Sequence, residues 1–197
     1  MVTQKVQRVA SAENIHQHLD LIAGLPYENL ESFKKSFNDV YRLRPQQFQL
    51  GFLKVLKGSK MHEKAGEYGI VYHTRPMYEV LSTNWLTYDE VIYLKGIEEM
   101  VEVYYNSCQF RCTMRALEAE FDTPFAMYEA LAEYYEENAL NGLKHSRMGR
   151  FDILHDFILS YVKKEHAPKY EDDLLMDLYL REKSKSRPVL GCGSFRI

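Results

Sequence analysis

The chain has 197 residues, of which 46% are hydrophobic and 27% charged, a balance typical of a globular protein with a core of its own. A net charge of −3 gives no electrostatic reason to expect nucleic acid as a partner, and no segment approaches the roughly 18 consecutive apolar residues of a membrane span. Three cysteines do not make a secreted disulfide framework, so a reducing cytoplasm is the expected compartment.

The first part of the chain contains a predicted strand–helix–strand unit. Residues 15–25 are nearly continuous in apolar character, which is typical of a strand buried on both faces of a parallel sheet, and a Gly-Leu-Pro turn ends it. Apolar residues at spacings of three and four predict a helix over 28–43, with Asn29 as a plausible N-cap. Residues 47–56 are predicted to form a second strand. Such units connect parallel strands, whose C-terminal ends are where α/β folds bind ligands.

The rest of the chain is predicted to be helical after a short irregular segment. Two short strands are expected at 70–73 and 78–81. Thr87 and Glu90 have the spacing of a capping box, and a Thr-Pro pair at 123–124 is a cap followed by proline at the first helical position. The predicted helices cover about 88–104, 109–120, 124–140, 148–161 and 171–184. The last of them would have Asp172 and Asp173 at its positive N-terminal end.

These elements predict an α/β region followed by an all-α region, with the chain mostly helical overall. The expected boundaries are 1–60 for the strand–helix–strand unit, 61–86 for a connecting segment with short strands, 87–185 for a helical domain and 186–197 for a flexible tail. Charge also divides the chain, because residues 1–60 have a net charge of +4 and the remainder has −7.

Asp20 is a carboxylate within the first predicted strand. It lies on the same strand face as His16, His18, Ile22 and Gly24. Burying an unpaired carboxylate is costly, so Asp20 needs a partner. One interpretation is a buried structural Asp held by His18 or by backbone donors. The other is a contact with a ligand at the mouth of a barrel, and the pattern alone leaves both open.

No metal site is predicted. Cys108 and Cys112 lie one helical turn apart, but a site of this kind needs four ligands, and neither a third thiol nor a neighbouring His completes it. Ordinary thiols are expected there and at Cys192. His16 and His18 are expected to be satisfied histidines. The aromatic residues at helical spacing between 88 and 161 are expected to pack in the helical core.

Two long segments resemble a known family. HLDLIAGLPYENLESFKKSFNDVYRLRPQQFQLGFLKVLKGSKM resembles the fifth strand, fifth helix and sixth strand of a radical SAM barrel. Its DLIxGLP pattern, Asp20–Pro26, is similar to the strand-five signature of the branch containing oxygen-independent coproporphyrinogen oxidase. LKGSKM is similar to that branch's strand-six exit, with Lys57 in place of Pro and Ser59 in place of Thr. YEVLSTNWLTYDEVIYLKGIEEMVEVYYNSCQF resembles the helical domain that follows the barrel in bacterial cobalamin-binding radical SAM proteins.

The resemblance implies that residues 1–60 are the end of a partial (β/α)6 TIM-like barrel. It implies S-adenosylmethionine and a 4Fe-4S cluster as cofactors of the whole enzyme, with cobalamin as a further candidate. In the related branch the carboxylate that matches Asp20 contacts S-adenosylmethionine. Gly24 would let the cofactor approach the backbone, and strand six around Gln49 and Gly51 would flank the adenosyl group. Periodicity leaves open which face of strand six points inward.

The departure from the family pattern is equally specific. Such enzymes hold their cluster with a C-x3-C-x2-C motif after the first barrel strand, and this sequence lacks the motif. The expectation is therefore the C-terminal part of a longer radical SAM iron–sulfur oxidoreductase, without a cofactor of its own and inactive alone. Its partner would be the upstream barrel, strands 1–4, with self-association through exposed strand edges as a further possibility. The helical domain would close over the barrel and help to select substrate. The alternative is a non-catalytic protein-interaction module with a vestigial β-α-β unit.

Overall fold

The structure is a computed structural model that describes residues 2–12 and 14–181. Cys192, the predicted tail at 186–197 and the end of the last predicted helix lie outside these residues. The described elements are α1 (Val2–Ala10), β1 (His18–Ala23), α2 (Leu30–Tyr41), β2 (Gln47–Phe52), α3 (Lys60–Glu63), β3 (Val71–Tyr72), β4 (Val80–Ser82), α4 (Tyr88–Val101), α5 (Arg111–Leu117), α6 (Pro124–Glu137), α7 (Arg147–Tyr161) and α8 (Ala167–Arg181). A π-helical turn, Glu102–Asn106, follows α4, and a 3-10 turn, Glu118–Glu120, follows α5.

The prediction of an α/β region followed by helices is confirmed, and the described chain is mostly helical. It divides into two compact units, Met1–Glu102 and Val103–Ile197. Among the described residues, no helix is both long enough and apolar enough to cross a membrane.

The first unit contains the predicted parallel pair. β1 and β2 run parallel, with His18 opposite Gln47 and Ala23 opposite Phe52. The helix between them begins as predicted, since the Asn29 side chain accepts a hydrogen bond from the Ser32 amide. α2 packs its buried apolar stripe against one face of the sheet, where the rings of Phe37 and Phe48 have centroids 5.0 Å apart.

The expectation that the first strand is buried on both faces is wrong. His18, Asp20 and Ile22 are exposed, whereas Ala23 is buried. Within the described residues this sheet has two strands, and α2 covers one of its faces. An apolar run predicts burial only where neighbouring elements supply the cover. Both strands are also shorter than predicted, because β1 begins at His18 and β2 ends at Phe52.

Further backbone pairing involves the chain that follows β2. β3 and β4 lie at the two predicted short strands, and they pair with each other in antiparallel orientation. The chain just before and within β4 also pairs with the chain after β2: Lys54 forms an isolated bridge with Glu79, and the Val80 amide donates to the Leu53 carbonyl at 2.8 Å. α4 then begins at the predicted capping box, in which the Glu90 amide donates to the Thr87 hydroxyl.

The second unit is built from helices α5 to α8. The predicted cap at Thr123 is confirmed, with the Ala126 amide donating to its hydroxyl. Several of the aromatic residues that were predicted to pack in the helical core are fully buried. They include Tyr104 and Tyr135, whose hydroxyls form a hydrogen bond of 2.9 Å. The exact start of the last helix differs from the prediction. α8 begins at Ala167, so Asp172 and Asp173 lie beyond its first turn. Pro168 fits that first turn, where its missing N–H costs no helical hydrogen bond.

A buried carboxylate from α8 caps α5. Asp177 is 2% exposed, and its Oδ1 accepts from the Cys112 amide at 2.9 Å. Its Oδ2 accepts from the amide and the hydroxyl of Thr113, both at 2.8 Å. The N-cap residue Phe110 has no side-chain hydrogen bond, so Asp177 supplies the acceptor that the first helical amides need.

Candidate functional site

The two faces of the β1–β2 sheet differ sharply. On β2 the side chains of Phe48, Leu50 and Phe52 are buried, whereas Gln49 is exposed. Successive strand residues point to opposite faces, so Gln49 and Gly51 lie on the face away from α2. We call this the open face, and it consists of His18, Asp20, Ile22, Gln47, Gln49 and Gly51. That this face points into a barrel stays a prediction.

Asp20 lies at the centre of the open face. It is opposite Gln49 in the parallel register, and its Oδ1 is 3.0 Å from His18 Nε2. The pairing with His18 that one interpretation offered is present, but the burial it assumed is not, because the Asp20 side chain is 60% exposed. An exposed pair of this kind contributes about 0–1 kcal/mol to folding. The fold alone therefore gives little reason for a carboxylate here.

A hollow of about 490 Å³ borders the open face. This volume is within the roughly 300–1,000 Å³ of pockets that hold small ligands. The residues that line it are Asp20, Ile22, Gln49, Leu50, Gly51, Phe52, Leu53, Lys54, Met77, Glu79 and Glu98. Three of the four predicted cofactor-binding residues, Asp20, Gln49 and Gly51, are thus brought to one hollow, and Gly24 does not line it.

Gly24 has a packing reason of its own. It is buried with φ of +87°, a left-handed conformation that favours glycine. A Cβ at this position would lie 2.8 Å from Cγ1 of Val80, which is itself completely buried. Val80 thus occupies the side of Gly24 where a side chain would project. The approach of a cofactor to this backbone stays a prediction.

The far wall of the hollow is charged. Lys95 on α4 forms an ion pair with Glu79, and its ammonium lies 4.4 Å from the centroid of the Phe52 ring. Partial burial raises the pKa of the Glu98 carboxyl, the Lys95 ammonium opposes this shift, and the negative charge of Glu79 adds to it. Sequence reasoning missed these residues. Lys95 and Glu98 are three apart on one helix, but nothing in the sequence places Glu79 beside them.

The polar groups of the open face are of the kinds that can bind S-adenosylmethionine. The Asp20 carboxylate can accept hydrogen bonds from an ammonium group or from ribose hydroxyls, and the Gln49 amide can both donate and accept. Gly51 leaves room beside the strand, since a Cβ there would meet nothing closer than the Leu21 carbonyl at 4.0 Å. In the described ranges, no group of three or more His, Cys, Asp or Glu residues is arranged to hold a metal.

Comparison with known proteins gives one family and two relatives. The model of the family described as "Protein of unknown function (DUF4080)" matches residues 66–192. A 2-(S-pantetheinyl)-carbapenam-3-carboxylate methyltransferase of Streptantibioticus cattleyicolor is 24% identical, over 98% of this chain and 31% of its own length. The cobalamin-dependent radical SAM methyltransferase TokK of Streptomyces tokunonensis is 26% identical, over 79% of this chain and 26% of its own length. The chain thus spans less than a third of each relative.

Proposed function

This chain belongs to the DUF4080 family, and we propose that it is the C-terminal part of a cobalamin-dependent radical SAM methyltransferase. The observation that carries the proposal is the open face of a parallel strand pair, where Asp20, Gln49 and Gly51 line one hollow. Methyl transfer is the reaction named for both relatives. Similarity over 98% of this chain to the first of them supports reading the chain as one part of such an enzyme.

In this proposal the open face provides part of the S-adenosylmethionine site. When bound, S-adenosylmethionine supplies a methyl group and the adenosyl group on which radical chemistry depends. Asp20 accepts hydrogen bonds from the cofactor, and His18 is a positioning residue that holds one carboxylate oxygen at 3.0 Å. Gln49, opposite Asp20 in the register, flanks the same cofactor, and Gly51 leaves the backbone accessible.

The rest of the enzyme is proposed to come from upstream. The outer edge of β1 has no strand partner among the described residues, which supports pairing with barrel strand four. The upstream part would also supply the three cluster cysteines, so the chain alone would be inactive. The helical region that follows the barrel would contribute to substrate selection. The competing proposal, a protein-interaction module with a vestigial β-α-β unit, would also use the free strand edges.

The reading frame upstream of Met1 separates the two proposals. The enzyme proposal expects an in-frame C-x3-C-x2-C motif, and its product should cleave S-adenosylmethionine under reducing conditions. A stop codon and a promoter immediately before Met1 would contradict it and favour the interaction module. The size of the protein in cells is a second test. If the chain is a free-standing interaction module, an antibody against it should detect a 23.2 kDa product.

A further inference from the structure

We infer that the hollow is a docking site for an extended peptide segment that pairs with the outer edge of β2 and places a basic side chain against Glu98. The inference deepens the proposed function by naming the class of substrate or partner, and it rests on that function only for the position of β2 as the last strand of the barrel. A peptide is the inferred occupant because the hollow offers both backbone groups that can pair with a strand and one side chain, Glu98, that can hold a basic residue.

The lining of the hollow indicates a strand edge. Six consecutive residues, 49–54, line it. Alternate residues of a strand point to opposite faces, so a cavity on one face would meet only every second residue. Because this cavity meets consecutive residues as well as Asp20 and Ile22 of β1, it extends from the open face to the outer backbone edge of β2, where N–H and C=O groups point outward.

That edge is largely free in the described part of the chain. β2 pairs with β1 along its inner edge. On the outer edge, the described backbone pairing begins only after the end of β2, at the isolated bridge between Lys54 and Glu79. As the last strand of a partial barrel, β2 would keep this edge free, whereas the edge of β1 would be covered by the preceding strand. An extended peptide can add to such an edge through main-chain hydrogen bonds.

Glu98 gives the hollow a preference for positive charge. It lines the hollow and is half-buried, and its carboxylate has no direct hydrogen bond or ion pair among the described residues, although the Lys95 ammonium lowers its pKa through space. The nearby Lys95 is already paired with Glu79, and Asp20 is paired with His18. Glu79 and Glu98 thus share one ammonium, and a Lys or Arg side chain from a bound peptide would offset the remaining cost of a partly desolvated carboxylate.

The shape of the rim fits the same occupant. Ile22 and Met77 are 42% and 64% exposed and line the hollow, so they offer apolar contacts for neighbouring side chains of a strand. In edge pairing, the main chain provides affinity and alternate side chains provide specificity. The lining matches a peptide that has a basic residue and, two positions before or after it, an aliphatic residue.

Selection from a random heptapeptide library displayed on phage tests the inference with the full chain as bait. We expect enriched sequences to carry one Lys or Arg within a β-branched or aliphatic context. Glu98→Gln should lose that enrichment, whereas Glu99→Gln, its exposed neighbour on α4 that does not line the hollow, should retain it. No enrichment, or enrichment without a basic position, would overturn the inference.

A synthetic copy of the selected peptide then tests the mode of binding. Glu98→Gln should weaken its affinity roughly 10- to 100-fold, the usual loss for a hydrogen bond to a charged group. N-methylation of alternate backbone amides should abolish binding in one register and spare it in the other. Equal tolerance of both registers, or equally tight binding of Nα-acetyl-lysine methylamide, would refute edge pairing in favour of a small-molecule pocket. These assays omit S-adenosylmethionine, so their failure is distinct from failure of the proposed cofactor site.

Discussion

Replacing Gly24 by alanine tests whether Val80 explains the glycine that ends β1. The left-handed backbone, with φ of +87°, costs a residue with a Cβ about 1–2 kcal/mol. The contact of 2.8 Å with Cγ1 of Val80 adds a second cost, because a buried β-branched side chain cannot turn aside easily. Overpacking of this kind typically costs about 1–3 kcal/mol. We therefore expect Gly24→Ala to lower the free energy of unfolding by about 2–5 kcal/mol.

Gly58 provides the matched control. Its φ is +79°, but a Cβ there would meet nothing within 4 Å, so Gly58→Ala should carry only the backbone cost. Urea unfolding followed by circular dichroism measures both variants, and the difference between them isolates the contact with Val80. Equal losses in the two variants would refute the packing explanation. The double variant Gly24→Ala/Val80→Ala should lose less stability than the sum of the two single variants, because the smaller side chain removes the contact.

Four further results are expected. Asp177→Ala should cost about 2–4 kcal/mol of stability, since it removes the buried cap of α5. Asp173→Asn should be neutral or stabilising at pH 7: burial raises its pKa above the ordinary 3.8, so the wild-type penalty exists above the raised pKa and disappears as pH falls towards 3.8. Anaerobic reconstitution of the chain should give no stoichiometric cluster, with iron and sulfide assays as the measurement. Sedimentation of the isolated chain should show self-association through its free strand edges, and a clean monomer at all concentrations would exclude it.

Local features were predictable from the sequence because their causes lie within one turn of the chain. The cap at Asn29, the box at Thr87 and Glu90, and the Thr-Pro start at 123–124 each need only a side chain and an amide three residues away. The parallel pairing of β1 and β2 followed from the strand–helix–strand order. These predictions depend on no distant residue.

Features that depend on distant residues were not predictable. The exposure of Asp20 depends on which elements cover the sheet, and the apolar run around it pointed to burial. The cap of α5 comes from Asp177, which is 64 residues away from Thr113. The hollow likewise gains Glu79 and Glu98 from segments whose placement only the fold determines. The resemblance predicted Asp20, Gly24, Gln49 and Gly51 as cofactor-binding residues, and the register explains why Asp20, Gln49 and Gly51 share a face.

The affinity of the parent protein for S-adenosylmethionine, measured for Asp20→Asn, tests the central claim most directly. The proposed parent is this chain joined to the upstream barrel that the enzyme proposal expects. Because Asp20 is 60% exposed, the substitution should leave the melting temperature almost unchanged. Affinity should fall roughly 10- to 150-fold, as for the loss of a hydrogen bond to a charged group. Asp39→Asn, an exposed aspartate of α2 paired with Arg42, is the control and should bind normally. Wild-type affinity in Asp20→Asn would contradict the account.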